Sequence, residues 1–273
     1  MTQQHPCPHT LGPATAPLWP GYADISPSAV KIHHLLAQRG EEVHNDHVAL
    51  RTYNLAPINL QALAAPLLEM GYRPSGEYHF DVKRLDARSY SKPGWPRVFI
   101  SELRVQDMPQ NVQDTLNALV EQCPNRALTI EDLAAGRPWA PVSWETYQNL
   151  AQASQYAAWV AAFGLRANHF TVSVNHLKTF DTPVLANLNA WLQTQGFTLN
   201  TRGGAIKGDP QCGLEQSSTM ADHIEVDFAD GVHAIPSCYC EFALRHPGPD
   251  GTPFDGFVTQ SANRIFESTA ASS

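Results

Sequence analysis

The sequence predicts an α+β fold. A βαβββ unit is made twice, its sheets form a metal-binding bowl, and a helical insert separates the copies. Three observations predict this. Two strands each carry a histidine on a face that is otherwise small or polar. Each strand is followed by an amphipathic helix ending at glycine. Each copy then closes on a strand with one glutamate amid apolar residues.

The first histidine strand is Asn45-Asp46-His47-Val48-Ala49-Leu50-Arg51-Thr52-Tyr53, and Pro57 ends the run. Alternation puts Val48, Leu50 and Thr52 on one face and His47, Ala49, Arg51 and Tyr53 on the other. Ala49 leaves space between His47 and Arg51, which four residues of strand set roughly 13 Å apart. That distance suits a metal at the histidine and the far carboxylate of a short substrate at the arginine. Taken alone, His47 reads first as a buried histidine donating to a backbone carbonyl.

The second copy shifts that balance. In Asn168-His169-Phe170-Thr171-Val172-Ser173-Val174-Asn175, the apolar face is Phe170, Val172 and Val174, and the polar face begins with His169. A strand with a wholly polar second face meets water or lines a cavity. The helix after the first strand is expected from Asn59 to Met70, stopping at Gly71; the one after the second runs from about Thr182 to Gln195, stopping at Gly196. Strands are then expected near Glu77–Asp81, Ala87–Ser91 and Arg97–Val105, and near Ala205–Lys207, Glu215–Met220, His223–Phe228 and Ser237–Leu244. The closing strands, Phe99 to Arg104 and Cys238 to Arg245, place Glu102 as the counterpart of Glu241.

This organisation predicts a loose, flexible N-terminal arm over 1–25, one catalytic domain over 26–269, and a short tail over 270–273. The domain holds halves at about 44–106 and 166–246 around a helical insert at 107–165. Ser26-Pro27-Ser28 opens a helix running to Gly40, with proline in its first turn. Helical spacing covers 108–122 and 143–163, the latter capped by Ser143, and a last short helix is expected over Phe257–Ile265.

Composition narrows the function. The chain has 273 residues, a net charge of −8 and no long basic run, which argues against nucleic acid and anionic membranes as partners. No apolar stretch is long enough to span a bilayer, and the N-terminus lacks a charged lead before an apolar block. The five cysteines, Cys7, Cys123, Cys212, Cys238 and Cys240, are odd in number and form no Cys-x-x-Cys pair, which fits free thiols in a reducing cytoplasm. Cys238 and Cys240 face away from Glu241 and read as packing residues.

Two histidines and one carboxylate on one face of an open site form the facial triad of non-haem Fe(II) oxygenases. The expected ligands are His47, His169 and Glu241. Glu102 is expected as a supporting acceptor, a fourth ligand or a base. The other histidines, such as His44, His79, His176, His223, His233 and His246, lack a repeated context.

Several strings resemble the 2-oxoadipate dioxygenase/decarboxylase family, related in fold to the vicinal oxygen chelate enzymes. They are His47-Val48-Ala49-Leu50-Arg51-Thr52-Tyr53, Val98-Phe99-Ile100-Ser101-Glu102-Leu103, Asn168-His169-Phe170-Thr171, Gly203-Gly204-Ala205-Ile206-Lys207-Gly208, Gln216-Ser217-Ser218-Thr219 and Arg264-Ile265-Phe266-Glu267-Ser268-Thr269. The resemblance runs from about residue 28 to 269. It implies Fe(II), with Zn, Ni or Mn as alternatives on purification, held by His47, His169 and Glu241. It also implies Arg51 as the substrate clamp.

The implied substrates are a 2-oxo acid and O2. The acid chelates the metal through its C1 carboxylate and keto oxygen, CO2 leaves, and the carbon beside the new carboxylate is hydroxylated. 2-Oxoadipate would give 2-hydroxyglutarate, a step in lysine breakdown. Arg51 would take the distal carboxylate with two parallel hydrogen bonds. Gln216, Ser218 and Lys207 are further expected polar contacts. Two other readings stand beside this one. A glyoxalase-type isomerase or lyase would use Zn(II) or Ni(II), with Glu102 as base or ligand. A non-enzymatic binding protein would keep the metal for structure, although a closed structural site wants four protein ligands.

Overall fold

The computed structural model describes residues 11–248, 251–265 and 268. Cys7, residues 1–10 of the arm, Phe266, Glu267 and Thr269 of the last motif, and the 270–273 tail lie outside the described residues.

The described chain begins with α1 (Trp19–Ala23) and α2 (Pro27–Gln38). The first unit follows as β1 (Asn45–Tyr53), α3 (Leu60–Glu69), β2 (Arg73–Phe80), β3 (Leu85–Ser91) and β4 (Arg97–Leu103). The insert holds α4 (Gln110–Val120), α5 (Ile130–Ala135), α6 (Trp144–Ala153) and α7 (Gln155–Phe163). The second unit is β5 (Ala167–Ser173), α8 (Val184–Thr194), β6 (Lys207–Asp209), β7 (Leu214–Ser218), β8 (His223–Phe228), β9 (Gly231–Pro236) and β10 (Glu241–Arg245), and α9 (Thr259–Ile265) comes last.

One sheet runs through both units in the order β2-β3-β4-β1-β5-β10-β7-β6 and curls into a half-barrel. The two histidine strands meet at its centre, antiparallel, with Val48 opposite Phe170. Each is flanked on its outer side by a parallel strand, β4 beside β1 and β10 beside β5. The sheet is therefore nearly symmetric about the β1–β5 seam. The predicted duplication is the architecture, and the helices stop at Gly71 and Gly196, both at positive φ.

Four details differ from the sequence reading. First, β8 pairs only with β9 in a separate hairpin, so His223–Phe228 is not a strand of the main sheet. The hairpin packs on the insert instead: the Trp144 ring stacks on His233 at 4.0 Å and meets Phe228 edge-on at 5.2 Å. Second, the helix expected over 143–163 is two helices. Ser154 breaks it with extended backbone and accepts a hydrogen bond from Ala157 N–H, starting α7. Third, the described part of the N-terminal arm is packed rather than loose. Trp19 and Tyr22 are buried against Phe170 of β5, with ring centroids 5.1 and 4.9 Å away. Fourth, the closing strands align three residues differently from expectation, so that Phe99 rather than Glu102 corresponds to Glu241. Phe99 pairs with Ala49 as Glu241 pairs with Thr171.

Candidate metal centre

His47, His169 and Glu241 converge on the concave face at the seam of the two units. Strand register puts them there: His47 lies opposite Thr171, Glu241 lies beside Thr171 on its other side, and His169 lies opposite Ala49. All three are buried, and their ligand atoms lie within 4.8 Å of one another. Nε2 of His47 is 3.5 Å from Oε1 of Glu241, and Nε2 of His169 is 3.2 Å from Oε2. Donors about 2.1 Å from one ion and at right angles to each other lie about 3 Å apart, so the spacing fits a facial ligand set.

The hydrogen bonds around the site orient both imidazoles alike. The β1–β5 ladder slips at two points, between Asn45 and His47 on one strand and between His169 and Ala167 on the other. Each slip leaves one extra residue, Asp46 and Asn168, immediately before a histidine. Asp46 Oδ1 lies 2.7 Å from Nδ1 of His47, and Asn168 Oδ1 lies 3.2 Å from Nδ1 of His169. Both Nδ1 atoms are thereby engaged as donors, which makes each Nε2 the acceptor nitrogen a metal needs; that of His47 meets the Thr171 hydroxyl at 3.1 Å. Arg245 closes the Asp46 side with hydrogen bonds from Nε and Nη2 to the two carboxylate oxygens, at 2.7 and 2.9 Å.

The electrostatics agree with that assignment. Burial lowers the pKa of His47 and, more strongly, of His169, so both rings are held neutral. Burial alone would raise the Asp46 carboxyl; the Arg245 charge and the His47 hydrogen bond outweigh it and hold Asp46 well below the usual carboxylate range. Glu241 is the opposite case. Burial pushes it up to about 8, against a hydrogen bond from Gln216 Nε2 at 2.5 Å. A buried carboxylate facing two neutral imidazoles gains most from a bound cation. The donor set, its tautomers and its charge all fit a divalent ion.

The remaining predicted residues divide. Arg51 lies on the His47 face, buried, with its guanidinium carbon 5.2 and 5.1 Å from the ring centroids of Tyr156 and Trp159 on α7. Tyr156 is fixed in turn by Ser101, the neighbour of Arg51 on β4: its hydroxyl donates to the Ser101 carbonyl at 2.7 Å. Gln216 reaches the site through Glu241. Lys207 is buried, and its Nζ donates to the Asn200 carbonyl. Ser218 sits beside Glu241 but its hydroxyl is 2.9 Å from that of Ser268.

Glu102 is not part of this site. It pairs with Thr52 on the opposite face of the sheet, and its Oε2 accepts the Leu60 N–H at 2.7 Å at the start of α3. It serves as a carboxylate cap on a helix N-terminus, where the unpaired N–H groups and the helix dipole favour negative charge. The site cavity is lined by Phe99, Tyr239, Phe257 and Ile265 besides the ligands and Gln216. A larger cavity of about 470 Å³ lies behind Asp46 and Arg245, away from the ligand atoms.

The profile of the 2-oxoadipate dioxygenase/decarboxylase family matches residues 26–251. The chain belongs to that family. The family's chloroplastic 2-oxoadipate dioxygenase/decarboxylase of Arabidopsis thaliana is 36% identical, over 82% of this chain and 67% of that protein. The hydroxyglutarate synthase of Oryza sativa, solved with 2-oxoadipate, superposes with a TM-score of 0.87 at 30% identity, over 97% of this chain and 96% of that one. A Shewanella frigidimarina NCIMB 400 structure is 45% identical with a TM-score of 0.84, over 90% of this chain and 96% of that one. A glyoxalase superfamily protein of Ralstonia eutropha JMP134, at 23% identity and a TM-score of 0.67 over 85% of this chain and 82% of that one, shares the fold.

Proposed function

We propose that this protein is an Fe(II)-dependent dioxygenase/decarboxylase that converts 2-oxoadipate and O2 to 2-hydroxyglutarate and CO2, as a step in lysine breakdown. The observation that carries the proposal is the buried convergence of His47, His169 and Glu241 on the face that also holds Arg51. Family membership supplies the substrate class, and the rice relative was solved with 2-oxoadipate. The atoms balance: a six-carbon 2-oxo diacid and O2 give a five-carbon 2-hydroxy diacid and CO2. A reducing cytoplasm is the compartment proposed, with Cys123, Cys212, Cys238 and Cys240 all free. No helix among the described residues is long and apolar enough to cross a membrane.

Iron bound here would supply O2 activation and two open positions for the C1 carboxylate and keto oxygen. The chain's own residues do the rest. Asp46 and Asn168 fix the two imidazoles so that both Nε2 atoms face the ligand set. Gln216 holds one oxygen of Glu241 and limits its rotation. Arg51 takes the distal carboxylate of the acid, its guanidinium held beside the rings of Tyr156 and Trp159. Phe99 and Phe257, 5.0 Å apart, keep bulk water from the reacting carbons.

Measuring O2 uptake with purified protein, Fe(II) and a panel of 2-oxo acids tests this reading. Uptake with 2-oxoadipate above short monocarboxylic acids supports it. Anaerobic turnover with Zn(II) or Ni(II) and no O2 uptake would favour the glyoxalase-type reaction instead.

A further inference from the structure

We infer that Phe99 holds open a coordination position that the duplicated fold would otherwise fill with a fourth protein ligand. This rests on reading His47, His169 and Glu241 as a metal site. Val48 opposite Phe170 marks the local two-fold of the sheet. Across it His47 corresponds to His169, and Ala49 to Thr171. Parallel pairing carries the relation to the next strand on each side. Phe99 pairs with Ala49, and Glu241 pairs with Thr171, so Phe99 stands in the first unit where Glu241 stands in the second.

The relation continues outward. Ser89 faces Phe99 as Ser218 faces Glu241. Ala87 occupies the place of Gln216, and Tyr78 that of Lys207. In the second unit Gln216 therefore donates to a carboxylate, and Lys207 is the next residue outward. In the first unit the same three places hold Phe99, Ala87 and Tyr78. The Phe99 ring lies 5.4 Å from that of Tyr78 and 5.0 Å from that of Phe257. One half of the bowl thus supports a charged ligand, and the other is an apolar wall.

Phe99 and Glu241 line the same cavity from their two halves. A phenyl ring cannot donate to a metal. A carboxylate at position 99 would complete a set of four protein ligands, the arrangement of a closed site. Phe99 leaves three donors and therefore room for a chelating acid and a further small molecule.

The test uses metal-free protein titrated with Mn(II), reading affinity by chelator competition and the number of exchangeable waters by proton relaxation. Phe99→Glu and Phe99→His are compared with wild type and Phe99→Leu. Wild type and Phe99→Leu are expected to bind alike and to keep at least two waters. Phe99→Glu and Phe99→His are expected to bind at least about tenfold tighter, or about 1.4 kcal/mol, and to lose one water. Unchanged affinity and water count in both variants would overturn the inference. So would a wild-type count of one water or none, a reading that needs no variant to fold. Waters and affinities as expected, with no O2 uptake on any 2-oxo acid, would sink the proposed reaction and leave Phe99 assigned; no Mn(II) binding by wild type would sink both.

Discussion

Asp46 Oδ1 lies 2.7 Å from Nδ1 of His47, and Arg245 grips the same carboxylate through two nitrogens. The triad Arg245–Asp46–His47 fixes the ring orientation and tautomer of one ligand. Its counterpart, Asn168 beside His169, is neutral and longer at 3.2 Å. The two histidines are therefore equivalent in position but not in basicity.

Asp46→Ala should lower metal affinity about 10- to 100-fold, the usual cost of losing a residue that orients a ligand. Asn168→Ala should cost less, because an amide polarises the ring less than a carboxylate does. Competition titration of the purified variants checks both. Equal losses in the two variants would show that the Asp46 charge contributes nothing beyond geometry.

Arg51→Lys keeps the charge and loses the two-pronged geometry. A fall in kcat/KM of about 10- to 1000-fold is expected for dicarboxylic 2-oxo acids, about 1.4–4 kcal/mol. Metal content should stay unchanged, and monocarboxylic acids should be spared. Equal slowing of both substrate classes, measured side by side, would assign Arg51 to structure instead.

His33 makes a prediction about pH. It is buried on α2, with neither ring nitrogen hydrogen-bonded among the described residues, and its ring lies 4.7 Å from Trp19. Burial pushes its pKa down from 6.5 to about 3. The unfolded chain takes up this proton near pH 6.5, whereas the folded chain resists until about 3. The neutral ring's contribution is thus complete above pH 6.5 and is lost as pH falls toward 3. At pH 5 the loss is about 2 kcal/mol. Denaturant midpoints should fall more steeply between pH 7.5 and 5 in wild type than in His33→Phe, and parallel curves would exclude His33 as the titrating group.

Trp19→Ala tests whether the N-terminal segment belongs to the core. Trp19 is 2% exposed and packs behind the His169 strand. A loss of about 3–5 kcal/mol is expected on unfolding by denaturant. A loss under about 1 kcal/mol would mean that the segment is only an arm.

The sequence made the seam legible because alternation is local. His47, Ala49 and Arg51 share a face by period two, and the second strand repeats the pattern around His169. Asp46 was hidden by the same rule: strict alternation points it away from His47, and only the slipped register brings the two together. Glu102 was misplaced because one glutamate in an apolar strand looks like another. Whether it meets the metal or caps α3 depends on pairing with β1, fifty residues away in sequence. Trp19 and Tyr22 stand among prolines and glycines with no periodicity, so their burial follows from the strand they pack on and not from their neighbours.

The most direct test of the central claim is stoichiometry. Protein loaded anaerobically with Fe(II) and 2-oxoadipate is exposed to a measured amount of O2, and CO2 and 2-hydroxyglutarate are quantified. The account predicts one CO2 and one 2-hydroxyglutarate per O2 consumed, with one oxygen atom of 18O2 in the new hydroxyl group. Product formed at the same rate without O2, or a hydroxyl oxygen that comes only from water, would contradict it.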